Sequence, residues 1–175
     1  MSRYQVRPLE SSDFQVLMTL EDRLFGDCQE GTLGAYYVRL CCDFFSESCF
    51  LLEVEGRPVG YLLSFLKGRE VYCTTLGLLP EMRGTRGLVA LLRAFVLKVA
   101  DHVDCCWFTV EEDNQAARAL HEMLGAREVE SRPDFYGPGR ARLISRIERE
   151  DVERLQARFL RLGLVERSTQ PKLVA

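Results

Sequence analysis

Between Leu76 and Gly87 the chain reads Leu-Gly-Leu-Leu-Pro-Glu-Met-Arg-Gly-Thr-Arg-Gly, an apolar strand that meets a proline, then a basic glycine loop, then helix-forming sequence without a spacer. Pro80 has no N–H to give to a ladder, so the strand ends there. The helix expected from Leu88 to Asp101 starts directly on the loop. Its first N–H groups are unpaired and the positive end of its macrodipole faces the loop, an arrangement that binds phosphate. Arg83 and Arg86 flank the glycines, which suits a compact polyanion such as a nucleotide pyrophosphate.

The 175 residues fit one ordinary domain with a tail, and no apolar run approaches the roughly 18 residues of a membrane span. No apolar signal segment follows Met1, so the expected location is the cytoplasm, without a membrane. A formal charge of −3 argues against broad attraction to nucleic acid. The seven cysteines are odd in number, include two adjacent pairs and mostly sit in apolar runs, so they read as reduced core residues. With neither a Cys-x-x-Cys nor a Cys/His ligand spacing, no metal site is expected.

Alternation and apolar periodicity give the order β-α-α-β-β-β-α-β-α-β-β. Tyr4 to Pro8 is a strand. Ser11, Ser12 and Asp13 begin a helix running to about Leu24, and a second helix is expected over Thr32 to Phe45. Cys49 to Val54 and Val59 to Leu66 form a hairpin about Glu55-Gly56-Arg57-Pro58. Glu70 to Leu79 feeds the glycine loop. Asp104 to Val110 is an apolar central strand, Asn114 to Leu124 a helix stopped by Gly125, and Arg127 to Arg132 and Ala141 to Ile147 are strands around a Pro133 to Gly139 loop. From Glu148 the chain becomes a charged helix with Val152, Leu155, Phe159 and Leu162 at helical spacing, fraying from Arg167. The expected division is a domain over 1–147 and a helix with tail over 148–175, packed on the domain or on a partner such as a second copy in a homodimer.

Two blocks in this order resemble the GCN5-related N-acetyltransferases. Leu78-Leu79-Pro80-Glu81-Met82-Arg83-Gly84 is similar to the family's strand-to-pyrophosphate-loop signature, and Asn114-Gln115-Ala116-Ala117-Arg118-Ala119-Leu120-His121-Glu122-Met123-Leu124-Gly125-Ala126 to its Asn-x-x-Ala-x-x-Leu-Tyr-x-x-x-Gly-Phe block. The resemblance covers about Tyr4 to Ile147. It implies an α/β (α+β) fold, a mixed and mostly antiparallel sheet with a central splayed parallel strand pair and flanking helices. It also implies acetyl-CoA as co-substrate, held by Leu78, by Arg83, Gly84, Thr85, Arg86, Gly87 and Leu88, and by Asn114, with no metal.

Two departures from the family pattern matter. The family's Arg-Gly-x-Gly-x-Gly falls on Arg83-Gly84-Thr85-Arg86-Gly87-Leu88, so either the loop shifts by a residue and uses Gly87, or the pocket is impaired. His121 stands where the family often has the tyrosine that protonates the departing thiolate; a protonated ring or the right tautomer serves as acid, whereas a packed helix histidine has no chemical role. His102 reads as a solvated residue at a helix end. Tyr136, in Phe135-Tyr136-Gly137-Pro138-Gly139, resembles a tyrosine loop that several relatives place over the acceptor, and is the other candidate acid. For the base, Tyr72 occupies the position where some relatives carry a glutamate. Glu70, Glu21, Asp22 and Glu111 are substitutes, each reading as a surface carboxylate. Cys73 as a nucleophile has no supporting His or Asp spacing.

The sequence thus points to an acetyl-CoA-dependent N-acetyltransferase acting by direct attack on a primary amine of a small molecule or peptide, with His121 or Tyr136 as acid. The rivals are a catalytically silent acyl-CoA-binding module and an acyltransferase using another acyl-CoA. Acidic residues toward the acceptor side (Glu21, Asp22, Asp27, Glu30) favour a cationic amine.

Overall fold

The computed structural model describes residues 4–28 and 31–168, with the side chains of the last helix as far as Leu162. Seven strands form one sheet: β1 Tyr4–Pro8, β2 Phe50–Val54, β3 Arg57–Lys67, β4 Glu70–Leu78, β5 Cys105–Val110, β6 Arg127–Arg132 and β7 Arg142–Glu148. Their order is β1-β2-β3-β4-β5-β7-β6, antiparallel at every pairing except the parallel β4–β5. The β2–β3 hairpin turns at Glu55 and Gly56, both at positive φ (52° and 78°), the geometry whose twist matches the flanking strands.

Five helices cover the two faces: α1 Phe14–Phe25, α2 Ala35–Asp43, α3 Arg86–Val99, α4 Gln115–Met123 and α5 Arg149–Ser168. α2 is shorter than expected at both ends, because Gly34 is extended and Phe44 closes the last turn with a bond from its N–H to Leu40 O. α3 begins two residues earlier than expected, at Arg86. Thr85 caps it, its Oγ1 accepting from the Gly87 N–H at 3.1 Å and donating to Met82 O at 2.7 Å.

α1 and α2 lie on one face, where Leu17, Leu20 and Val38 are buried and Phe65 meets the edges of Tyr37 and Phe45. α3 and α5 lie on the other, enclosing Leu62, Cys73, Cys106 and Phe108 with Phe95 and Leu155. Six of the seven cysteines are buried and unpaired, as expected of reduced core residues, and Cys28 is the exception, unpaired but exposed. α5 docks through Val152, Leu155 and Phe159, whereas Leu162 is 40% exposed, so the apolar stripe ends one turn earlier than its spacing suggests. Polar bonds lock the two helices: Arg149 donates to Ala100 O and Val103 O just past the end of α3, and Arg93 donates to Phe159 O. Arg167 and Ser168 belong to α5 rather than to a frayed tail, and residues 169–175 lie outside the described residues. Among the described residues no helix is long and apolar enough to cross a membrane.

Candidate active site

The parallel pairing between β4 and β5 covers only Glu70↔Cys105 to Cys73↔Phe108. β4 continues five residues further, paired on its other side with β3 as far as Gly60↔Leu78. The parting coincides with a bulge: Ser64 faces Cys73 and Leu63 faces Thr75, so Thr74 is the extra residue. A bulge bends its strand and raises the local twist, which carries the end of β4 away from β5. The main-chain direction beyond it follows from one bond, Leu79 N–H to Val59 O at 2.9 Å. Alternation then turns the N–H and C=O of Gly77 and Thr75 toward β3 and those of Leu76 and Leu78 into the gap.

The glycine loop continues from that edge. Pro80–Met82 makes a 3-10 turn, Arg83 is extended, and Gly84 takes φ 71°, a conformation that disfavours any side chain. Arg83 and Arg86 are exposed beside the N-terminus of α3. Gly87 has a different task. A Cβ there would stand 2.8 Å from Met82 Cε and 3.1 Å from Leu52 Cδ2, and its N–H is held by Thr85. Its bareness therefore lets α3 settle on β2, and of the two loop glycines Gly84 is the one with open space around it. Asn114 caps α4, its Oδ1 accepting from the Ala117 N–H at 3.1 Å.

The structure does not bring the two candidate acids together. His121 stacks on Phe108 with ring centroids 4.5 Å apart, on the face that carries α3, and borders an open depression of about 400 Å³ with Gln115, Arg118 and Ser145. Its Nδ1 is buried without a hydrogen-bond partner, and burial lowers its pKa to about 4. The ring is neutral near pH 7, so a protonated His121 is not available there as an acid. Tyr136 lies on the opposite face, 50% exposed, with the Arg142 guanidinium 5.0 Å and that of Arg140 5.8 Å from its ring. Beside it the Tyr72 hydroxyl pairs with Thr109 Oγ1 at 2.8 Å, at the start of the gap. Burial pushes Tyr72 up to about 12, with the Thr109 bond opposing and Tyr136 adding to the rise. Tyr37 meets the bulged Thr74, hydroxyl to hydroxyl, at 2.5 Å.

The carboxylates separate sharply. Glu70 and Asp22 are exposed, Glu70 at the far end of β4, and Glu111 lies 3.5 Å from Arg142. Glu21, expected at a surface, is 1% exposed, with one oxygen accepting from the Leu33 N–H at 2.9 Å and the other from the Tyr61 hydroxyl. Burial raises its pKa, and the Leu33 bond opposes the rise. Its position beside Leu17 and Leu20 on the apolar stripe of α1 carried that signal. With Glu21 enclosed, it offers no negative charge to an acceptor, whereas Asp22 and Asp27 remain exposed, and Arg142 and Arg146 stand on the β7 side of the same face. Glu30 lies outside the described residues. Burial pushes the Cys73 thiol up to about 12, which removes it as a nucleophile.

A mixed sheet whose one parallel pair opens at a bulge, beside the glycine-led N-terminus of a helix, is the architecture of an acyltransferase class. The sequence profile of the Acetyltransferase (GNAT) family matches residues 14–126, and the chain belongs to this family. None of the curated proteins matches it. Among solved structures it is similar to Naa50 from Arabidopsis thaliana in complex with the bisubstrate analogue CoA-Ac-MVNAL, with 17% identity and a TM-score of 0.73 over 84% of this chain and 99% of that one. It is similar to the ribosomal-protein-S18-alanine N-acetyltransferase from Escherichia coli, with 18% identity and a TM-score of 0.67 over 83% and 93%. A third is the diaminobutyrate acetyltransferase from Paenibacillus lautus in complex with L-2,4-diaminobutyric acid and coenzyme A, with 19% identity and a TM-score of 0.69 over 85% and 96%. These likenesses establish the fold.

Proposed function

We propose that this protein transfers the acetyl group of acetyl-CoA to a primary amine of a small molecule or peptide by direct attack. The observation that carries the reading is the unpaired edge of β4, where Leu76 and Leu78 turn their main-chain groups into a gap that opens beside the N-terminus of α3. That edge fits a pantetheine arm, whose amides pair with it as an added strand would. The open N–H groups of Arg86 and Leu88, with the side chains of Arg83 and Arg86, fit the pyrophosphate. The similar structures from Arabidopsis and Paenibacillus hold CoA-containing ligands with a peptide or an amino-acid amine, which supports both acceptor classes.

Acetyl-CoA supplies an activated acetyl thioester. The chain's part is positioning, which makes attack effectively intramolecular, and donation of the Leu78 N–H to the carbonyl oxygen as negative charge develops. The amine enters from the face of Tyr37, Tyr72 and Tyr136. Tyr136 gives its proton to the departing sulfur, because it shares that face and His121 lies on the other side of the sheet. With Glu21 enclosed and Glu111 paired with Arg142, the amine gives up its proton to water.

Calorimetry of the purified protein with acetyl-CoA tests the assignment, with Arg83→Ala and Arg86→Ala as loop variants. The wild type binds, and each variant binds about three- to tenfold more weakly. A folded wild type that does not bind acetyl-CoA overturns the proposal. Gly87→Val is no test of phosphate contact, since its side chain would collide with Leu52 and Met82.

A further inference from the structure

Two buried carboxylates in the described chain invite comparison. Asp13 is 4% exposed and lies against the outer strand β1, where Arg7 grips it at 2.7 Å and the Glu10 N–H donates to it at 2.7 Å. Its surroundings explain it as a structural anchor far from the gap. Glu21 is buried more deeply and is held by two neutral donors, with no cation among its hydrogen-bond partners. Taking a carboxyl group out of water costs free energy unless its oxygens are occupied, so an ionisable group kept at this position points to a task beyond filling space.

The two donors belong to different parts of the site. Leu33 stands in the segment that leads into α2, twelve residues along the chain from Glu21, and Tyr61 stands on β3, forty residues away. Tyr61 is fully buried and faces Gly77 in the β3–β4 register. Its ring occupies the place of a Gly77 side chain, with Cε1 and Cζ 2.7 Å from where a Cβ would be. Gly77 is flanked by Leu76 and Leu78, the residues whose main-chain groups turn into the gap. A chain of contacts thus runs from the α1 carboxylate through a phenol to the backbone beside the Leu78 N–H.

We infer that Glu21 is a positioning residue for acyl transfer: through Tyr61 it sets the level of β4 at Gly77, and hence the aim of the Leu78 N–H, while through Leu33 it tethers the wall on the amine side. The inference rests on the proposed acetyl-CoA function. It makes Glu21 neither a base nor a substrate contact, since both of its oxygens are engaged and its side chain is enclosed.

The test reads the hydrogen bond at the thioester rather than stability. Acetyl-CoA labelled with carbon-13 at the carbonyl is bound to the wild type and to Glu21→Gln, Tyr61→Phe, the double variant and Asp13→Asn, and the carbonyl stretch is recorded by infrared difference spectroscopy. In the wild type the bound carbonyl stretches at lower frequency than the free one. Glu21→Gln and Tyr61→Phe each remove most of that displacement, and the double variant adds little to either, while acetyl-CoA affinity stays within about threefold because the pyrophosphate contacts are untouched. Asp13→Asn lowers the melting temperature and leaves the band in place. If Glu21→Gln does not fold, Tyr61→Phe decides alone. A band unmoved in variants that still bind overturns the inference and leaves the proposed function standing. A wild type that fails to bind acetyl-CoA overturns both, and that result comes from the calorimetry before any variant is made.

Discussion

Replacing Gly77 by alanine puts the packing around Tyr61 to a quantitative test. The added methyl would lie 2.7 Å from Cε1 and Cζ of Tyr61 and 2.8 Å from its hydroxyl oxygen. Non-bonded carbons rest about 3.5–4.0 Å apart, so ring and strand must separate by about 1 Å. A surface tyrosine would swing aside at little cost. Tyr61 is fully buried and its hydroxyl is bonded to Glu21, so the displacement passes into β4 or α1. Overpacking of this kind costs about 1–3 kcal/mol, and the loss of glycine's freedom in the unfolded chain returns about 0.5–1 kcal/mol. The expected net loss is about 1–2 kcal/mol, which for a chain of this size lowers the melting temperature by about 2–8 °C. Thermal melts followed by circular dichroism measure it, in the wild type and in a Tyr61→Leu background, where the ring is gone and Gly77→Ala becomes neutral or mildly stabilising. A cost equal in both backgrounds, or a rise in melting temperature in the wild type, refutes the account of Tyr61 as the wall beneath β4.

Three further outcomes follow from single contacts. Thr85→Ala removes the cap of α3 and costs about 1 kcal/mol, read as a melting temperature lower by about 2–4 °C. His121 has a folded pKa of about 4 against about 6.5 unfolded, so between those values the unfolded chain binds the extra proton. Its neutral form therefore supports the fold fully above pH 6.5, and that support is lost as pH falls toward 4. Allowing for partial exposure the effect is about 1–2 kcal/mol, and urea titrations across this range show it abolished in His121→Phe, which keeps the stack on Phe108. Tyr136→Phe lowers turnover about ten- to a hundredfold without weakening acetyl-CoA binding, by steady-state kinetics and calorimetry; the same loss in His121→Phe instead would move the proton donor to the other face.

Local chemistry made much of the fold legible. Pro80 stops β4, Gly56 turns the first hairpin, and the apolar character of β5 places it centrally, all through interactions within a few residues. What escaped depends on pairings that no local window contains. Thr74 is an unremarked threonine until the β3 register leaves it unpaired. His121 and Tyr136 look like equivalent candidates along the chain, and only strand parity across β5 and β7 puts a sheet between them. Gly87 matched a phosphate-loop spacing, while the neighbours it packs against are Met82 and, across on β2, Leu52. Glu21 is the instructive case: its helical phase sets it with Leu17 and Leu20 on the buried face of α1, while its charge points to a surface.

The gap itself is assembled from small departures on neighbouring strands. Thr74 supplies the extra residue that ends the parallel ladder, and Tyr37 bonds its hydroxyl from α2. Across from the unpaired edge, Gly60 lacks the Cβ that would meet Leu78 Cδ2 at 2.5 Å, and Gly77 lacks the one that would meet Tyr61. Side chains at either position would push β3 and β4 apart at the rungs whose outer groups face the gap. Strand glycines normally weaken a sheet, so two of them at adjacent rungs is a local cost in stability. The cost is consistent with holding β4 close to β3 while its other edge stays open, and it leaves the direction of the Leu78 N–H dependent on the side chains packed beneath it.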